Sequence, residues 1–351
     1  MSGGVDSSVT AYLLKEQGYE VEGLSLNLWD TRNAVSSGQC CSLESAKSAA
    51  STASILGIPH VSLDVRQEFI EKVVEPFAET YLRGMTPNPC ILCNRLIKFP
   101  ALLGYAEQRQ AEFIATGHYA IVERDGSARF TALRRGVDPS KDQSYVLYVI
   151  GRDNLERLLL PLGGYRKEQV REIAKSLGLP AADREESQEI CFIEGDYAEF
   201  IETLAPDSGR TGPILDASGN VIGTHKGLHH YTVGQRKGLG IYRPEPLFVT
   251  ELDHSRNALR VGSREEAMTH EFSCGELIWI SQPATNPFRA EVKVRSMMDP
   301  KPAKVEAISD CARVTFDEPQ WAVAAGQSAV FYEGDAVLGG GIICPASKVV
   351  S

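Results

Sequence analysis

Seven residues near the start of the chain, Ser2-Gly3-Gly4-Val5-Asp6-Ser7-Ser8, limit the fold more than any other feature. Two adjacent glycines let backbone N–H groups close on an anion at a distance that a Cβ would forbid. The apolar spacing over 9–17 reads as an amphipathic helix. Its N-terminus adds unpaired donors and partial positive charge. Ser2, Ser7 and Ser8 supply hydroxyls, and Asp6 supplies a carboxylate suited to Mg²⁺. A glycine turn with a helix cap explains Ser-Gly-Gly alone; the full run reads as a phosphate cradle. No Gly-Lys-Ser/Thr follows, so the cradle is not a Walker loop. Such a loop ordinarily follows the first strand of a sheet, whereas this sequence opens at the loop, so that strand is expected to be missing.

Downstream, helix and strand patterns alternate. Residues 21–28, 60–63 and 113–116 read as strands, and 43–56, 69–83, 100–108 and 165–177 as helices. Strands separated by helices imply a parallel sheet covered on both faces. After about residue 205 the runs become short, β-rich and broken by Gly and Pro. From residue 271 onward six strand-like runs at close spacing suggest a small antiparallel barrel or sandwich. At 351 residues the chain has room for two or three domains. The texture divides it at 1–201, 202–270 and 271–351.

Hydrophobic residues at 43% and charged residues at 23% exclude a disordered chain. No run of about 18 apolar residues offers a membrane span, and the first residues lack a basic region and an apolar signal core. No membrane association is expected, and the location is expected to be cytoplasmic. The net charge of −10 excludes indiscriminate coating of nucleic acid. One window is different: residues 217–244 hold no acid but carry Lys226, Arg236, Lys237, Arg243, His225, His229 and His230.

Eight cysteines in such a chain are expected to be mostly reduced. Cys274, Cys311 and Cys344 sit in strand-like apolar context and read as small buried hydrophobes. Cys40 and Cys41 are adjacent and have no obvious partner. Cys90 and Cys93 form a Cys-x-x-Cys in Asn88-Pro89-Cys90-Ile91-Leu92-Cys93, and Cys191 stands in Ser187-Gln188-Glu189-Ile190-Cys191. A lone Cys-x-x-Cys reads as a redox or zinc half-site, but no matching second pair follows. A thiol in polar context is also a candidate nucleophile.

Seven segments in order carry a close resemblance over essentially the whole chain: MSGGVDSSV (1–9), NPCILCNRLIKF (88–99), ATGHYA (115–120), KDQSYVLY (141–148), SQEICFI (187–193), HKGLHHYTVGQRKGLG (225–240) and AGQSAV (325–330). Together they resemble the bacterial tRNA-specific 2-thiouridylases, the MnmA/TrmU family. The resemblance implies an α/β fold: an ATP-pyrophosphatase (PP-loop) parallel-sheet domain, a small central tRNA-contacting domain and a C-terminal antiparallel β-barrel. It implies ATP and Mg²⁺ as cofactors, tRNA(Lys), tRNA(Glu) and tRNA(Gln) as substrates, and a sulfur-donor protein, a cysteine desulfurase or a sulfur relay protein, as partner. The expected reaction adenylates C2 of the wobble uridine, then transfers sulfur from a Cys191 persulfide to give 2-thiouridine, AMP and PPi.

By the same resemblance Cys191 bears the persulfide and Cys93 resolves it through a disulfide. Ser2, Gly3, Gly4, Val5, Asp6, Ser7, Ser8, Leu26 and Gly117 hold ATP. Asn88, Pro89 and Cys90 contact the target base. His118, Lys141, Asp142, Gln143, Arg295, Ser296 and Gln327 touch tRNA. The acid-free window fits RNA phosphate contact. Cys90 departs from the family's better-known pattern, which has Asp there. Cys90, Cys93 and Cys191 are therefore also candidate ligands of a [4Fe–4S] cluster, since soft thiolates suit one. Another PP-loop synthetase shares the loop but needs neither Cys93 nor Cys191. An RNA-binding module with a structural metal predicts no ATP turnover.

Overall fold

Gly4 stands at the N-cap of α1 (Val5–Glu16), so the glycine pair lies at the helix entrance. The computed structural model describes residues 1–29, 41–127, 129–182, 190–193, 195–206 and 209–345, the side chains of 41–43 excepted. Cys40 and the Ser187-Gln188-Glu189 segment lie outside the described residues, as does the side chain of Cys41.

The first domain carries β1 (Gly23–Asn27), α2 (Cys41–Leu56) and β2 (His60–Asp64), then α3 (Arg66–Phe69) and α4 (Glu75–Leu82) joined through a π turn at 70–74. After these come α5 (Pro89–Cys93), a π turn at 94–98 and α6 (Phe99–Arg109). β1 and β2 pair in parallel from Gly23 opposite His60 to Asn27 opposite Asp64. β3 (Ile114–Ala115) pairs in parallel with β6 (Leu158–Leu159). Among the described residues the parallel sheet therefore consists of two separate pairs. Beside β1 runs Met1, whose ammonium donates to the Leu24 carbonyl and whose carbonyl accepts from Ser25 Oγ at 2.5 Å.

Between β3 and β6 the chain forms a hairpin, β4 (Ala120–Arg124) and β5 (Phe130–Arg135), that sequence reading does not anticipate. Asp125 builds its turn, the carboxylate accepting from Ser127 N at 2.9 Å and Arg129 N at 3.0 Å. The domain continues through α7 (Arg152–Leu155) and α8 (Lys167–Ser176), and α9 (Tyr197–Leu204) leads into the middle region.

The middle region is a four-stranded sheet of β7 (Gly212–Leu215), β8 (Val221–His225), β9 (Phe248–Asp253) and β10 (Ala258–Gly262), in the order β8-β7-β10-β9. Ile214, Val249, Leu259 and Val261 form its core with Leu228, Tyr231 and Leu239 from the acid-free window. The last region holds β11 (Met268–Trp279), β12 (Phe288–Lys293), β13 (Lys301–Ile308), β14 (Cys311–Trp321), β15 (Ser328–Glu333) and β16 (Ala336–Ile343). β11 pairs antiparallel with both β14 and β16, which closes these six strands into a barrel. β11 begins at Met268, earlier than expected from sequence. The hairpin β4–β5 joins the barrel's sheet where Arg134 meets Ala336, so the first domain and the barrel share one sheet. Cys274 is fully buried inside the barrel wall, as expected, whereas Cys311 and Cys344 are only partly covered.

Candidate active site

Gly3 adopts φ +75, and a Cβ there would lie 2.1 Å from the Ser45 carbonyl of α2. Only glycine fits such a close, left-handed approach. The loop is then fixed from within. Ser2 N donates to Ser7 Oγ at 3.1 Å, and Ser8 Oγ donates to the Gly4 carbonyl at 2.9 Å. From α2, Ser48 Oγ donates to the Gly3 carbonyl at 2.9 Å, and Thr52 Oγ1 lies 3.4 Å from Ser8 Oγ. The result is a braced helix N-terminus whose first amides have no side-chain cap, an arrangement suited to an anion.

Asp6 is held by residues far away in sequence. Tyr119 donates its hydroxyl to Asp6 Oδ1 at 2.7 Å. Lys167, at the start of α8 and 161 residues distant, reaches Oδ1 at 2.8 Å and Oδ2 at 2.9 Å. The Lys167 side chain is 7% exposed. Sequence reading missed this lysine, because nothing local to it points to the loop. These three bonds leave Asp6 about one of a carboxylate's four acceptor positions, so Mg²⁺ has room for a single contact there. Gly117 packs on the loop from the other side: a Cβ would meet Asp6 C at 2.9 Å and Ser7 N at 3.0 Å. Leu26 lies on β1, one residue beyond the Ser25–Met1 contact.

The thiols lie on α5 and on the turn at 190–193. Asn88 caps α5, its Oδ1 accepting from Cys90 N at 3.1 Å and Ile91 N at 3.3 Å, and Pro89 takes the first helical position. The three-residue spacing puts Cys90 and Cys93 on adjoining faces, Cys90 exposed and Cys93 buried. Cys191 is exposed at the rim of a turn closed by Ile193 N donating to the Ile190 carbonyl at 3.0 Å. Its neighbour Phe192 anchors the turn against Phe69, Phe77 and Phe200 at ring separations of 5.5, 5.4 and 5.6 Å. Cys90, Cys93 and Cys191 are all free thiols.

Desolvation pushes the Cys191 thiol up to about 11; Cys93 and Cys90 add to the rise and Lys98 opposes it. Desolvation also raises Cys93, again opposed by Lys98. Lys98 therefore faces both thiols from the π turn at 94–98. At pH 7 a thiol raised in this way is almost wholly protonated. Alkylation at Cys191, followed by peptide-resolved mass spectrometry, is expected to quicken about tenfold per pH unit from 7 to 10. Lys98→Met is expected to slow it further. A rate that levels off near pH 8.5 contradicts the desolvated thiol.

The loop and the thiols are joined by two dipeptides. Gly117 touches the loop, and next to it His118 stacks on Phe99 at 6.1 Å. Phe99 follows Lys98, which faces the thiols. Burial, with Lys98 nearby, drives His118 down to about 3. His118 is half-buried and bonded through Nδ1 to Thr116 Oγ1 at 2.8 Å.

The remaining expected residues are distributed as follows. Asp142 braces its own turn, accepting from Gly136 N at 3.2 Å and Ser144 N at 3.0 Å. Gln143 Oε1 accepts from Tyr119 N at 3.0 Å. Lys141 sits half-buried beside them. Gln327 reaches from the barrel to the Thr86 and Pro87 carbonyls at 3.0 and 3.3 Å, fixing the approach to Asn88. From the middle region Thr232 meets Thr86 at 2.6 Å, hydroxyl to hydroxyl. Three regions therefore converge on Thr86-Pro87. Arg295 Nη2 donates to the Val233 carbonyl at 3.0 Å, while its Nε is buried without a partner. Ser296 is exposed beside it.

With this geometry in place, comparison with known proteins is informative. The family model described as tRNA methyl transferase HUP domain matches residues 1–195. That of the tRNA methyl transferase PRC-barrel domain matches 198–263, and that of the aminomethyltransferase beta-barrel domain matches 269–343. A protein named tRNA-specific 2-thiouridylase MnmA from Chloroflexus aggregans is 46% identical over 98% of this chain and 96% of its own. The protein of the same name from Carboxydothermus hydrogenoformans is 46% identical over the same shares. That from Clostridioides difficile is 43% identical, also over 98% and 96%.

Proposed function

The chain belongs to the tRNA-specific 2-thiouridylase family and is a tRNA sulfurtransferase, and from that premise we propose that its cleft adenylates the C2 oxygen of a wobble uridine and replaces it with sulfur carried by Cys191. What supports the reading is the junction just described. The braced loop and the two thiols are linked through Gly117-His118 and Lys98-Phe99, so a nucleotide and a sulfur carrier can meet at one base.

ATP is placed with its phosphates over the N-terminus of α1, bounded by Ser2 to Ser8, Gly117 and Leu26. Lys167 and Tyr119 orient Asp6, whose remaining acceptor position would be open to Mg²⁺. The uracil C2 oxygen attacks the α-phosphorus, the bond to pyrophosphate breaks, and an O-adenylated uridine remains. Adenylation converts a poor leaving oxygen into AMP. The terminal sulfur of a Cys191 persulfide then attacks C2 and AMP departs. Cys93 attacks Cys191 Sγ, releasing the thiocarbonyl and forming a Cys93–Cys191 disulfide, which an external thiol must reduce. The persulfide is more acidic than the Cys191 thiol, so charging the site with sulfur also supplies the anion that the bare thiol lacks.

The base enters past Asn88, Pro89 and Cys90, since C2 is poorly accessible in a stacked loop. Lys141, Arg295 and Ser296 meet the RNA, with Lys226, Arg236 and Lys237 of the middle region as further phosphate partners. His118, Asp142, Gln143 and Gln327 act on the RNA indirectly, by holding the segments that do. tRNA(Lys), tRNA(Glu) and tRNA(Gln) are the proposed substrates, and a cysteine desulfurase or relay protein the sulfur source. The domains are taken as 1–201, 202–270 and 271–351. No helix among the described residues is long and apolar enough to cross a membrane, which accords with a cytoplasmic setting.

A second route is favoured by one observation: Cys90, which stands where Asp is usual, raises the pKa of both other thiols and so faces the same cleft. Cys90, Cys93 and Cys191 would hold a [4Fe–4S] cluster with one open iron, which would supply the sulfur-binding site. Anaerobic purification with iron analysis separates the routes, because the persulfide route requires no iron.

Gly117→Ala tests the ATP placement. The added methyl presses on Asp6 and Ser7, and overpacking of this degree costs about 1–3 kcal/mol. ATP affinity by calorimetry is expected to fall about tenfold or more with thiol reactivity unchanged. Unchanged affinity would place the nucleotide elsewhere. The wider reading is tested by pyrophosphate release, which is expected to require unmodified tRNA as well as ATP.

A further inference from the structure

We propose that Glu202, His229 and His230 form a binding site for a single divalent transition-metal ion of the Zn²⁺ class, where α9 packs on the helical turn that follows β8. α9 presents Glu202, and the single helical turn Leu228–His230 presents both histidines. His229 Nε2 and His230 Nε2 lie 3.2 and 2.9 Å from one carboxylate oxygen, Glu202 Oε1. All three donor atoms fall within 4.8 Å of one another. The two imidazoles stand 4.4 Å apart, tilted by 36°.

This is a convergent donor set. Among the described residues both ring nitrogens crowd one oxygen, and none bonds Glu202 Oε2. A metal–ligand length of about 2.0–2.1 Å sets tetrahedral donors about 3.3 Å apart. The nitrogen–oxygen separations need only open by about 0.1–0.4 Å to admit the ion. His229 is buried, while His230 and Glu202 remain partly accessible and leave a face for entry and for water as fourth ligand.

The ion would join two functional segments. The other face of α9 places Phe200 and Ile201 in the aromatic cluster behind Cys191. Two residues after His230, Thr232 bonds Thr86 at the approach to the Cys-x-x-Cys. One ion would therefore tie the wall behind Cys191 to the segment that positions Cys90 and Cys93.

The test titrates the metal-free full chain with Co²⁺ and reads absorption and stoichiometry. One equivalent is expected to bind with visible d–d bands and without the strong near-ultraviolet thiolate band, so the cysteines are not the ligands. Glu202→Gln and His230→Gln are each expected to weaken binding at least tenfold and to abolish the rise in thermal midpoint that Zn²⁺ gives the parent chain. Their far-ultraviolet circular dichroism is expected to match the parent's. No stoichiometric Co²⁺ binding, a thiolate band alone, or affinity unchanged in both variants overturns the site.

Discussion

Cys191→Ser is expected to lower 2-thiouridine formation by about 10⁴-fold or more, the scale on which loss of a catalytic nucleophile is felt. Pyrophosphate release should survive, because adenylation uses the loop and not the thiol. The substitution is nearly isosteric, so folding is not at issue. Cys93→Ser is expected to do something different. Its first step proceeds, and the base stays joined to Cys191 through a disulfide that a reductant releases. Quantifying pyrophosphate and 2-thiouridine side by side separates the two variants. Equal loss of both products in Cys191→Ser would mean that the thiol serves ATP binding instead.

Lys167→Met is expected to produce the second large effect. Removing one partner of a buried ion pair costs about 3–5 kcal/mol. The Asp6 side chain is 34% exposed, so water recovers part of that, and a loss of about 2–3 kcal/mol remains. ATP affinity should fall at least tenfold as Asp6 and the loop lose their anchor. Combining Lys167→Met with Asp6→Asn should cost little more than Lys167→Met alone, because both remove one interaction. Denaturant midpoints and ATP calorimetry on the four proteins of this cycle measure it. Strict additivity contradicts the coupling.

The loop was legible in the sequence because its chemistry is local: two glycines and three hydroxyls lie within a few residues of a helix start. The barrel was legible because its strands follow one another at short spacing. Lys167 was not legible, since only the folded chain brings α8 to α1. The hairpin β4–β5 carried a turn signal, Asp125-Gly126, but no clean period-2 pattern, and its sheet partner is β16, some two hundred residues on, so a reading confined to the first domain passes over it. Gln327 and His118 show a different limit. Their motifs mark them as important, but motif order does not reveal whether a side chain faces RNA or a neighbouring backbone. Gln327 bonds the Thr86 and Pro87 carbonyls, and half-buried His118 bonds Thr116. The convergence of three regions on Thr86-Pro87 exists only in the fold.

The account rests on sulfur passing from Cys191 to a uridine that ATP has activated. The most direct measurement loads Cys191 with isotopically labelled persulfide sulfur, removes the donor, and then adds ATP, Mg²⁺ and unmodified tRNA(Lys) for a single turnover. Label in the 2-thiouridine of the anticodon, appearing only with ATP and lost from Cys191 in equal amount, is the predicted result. Thiolated tRNA without label, or label retained on the protein while ATP is consumed, contradicts it.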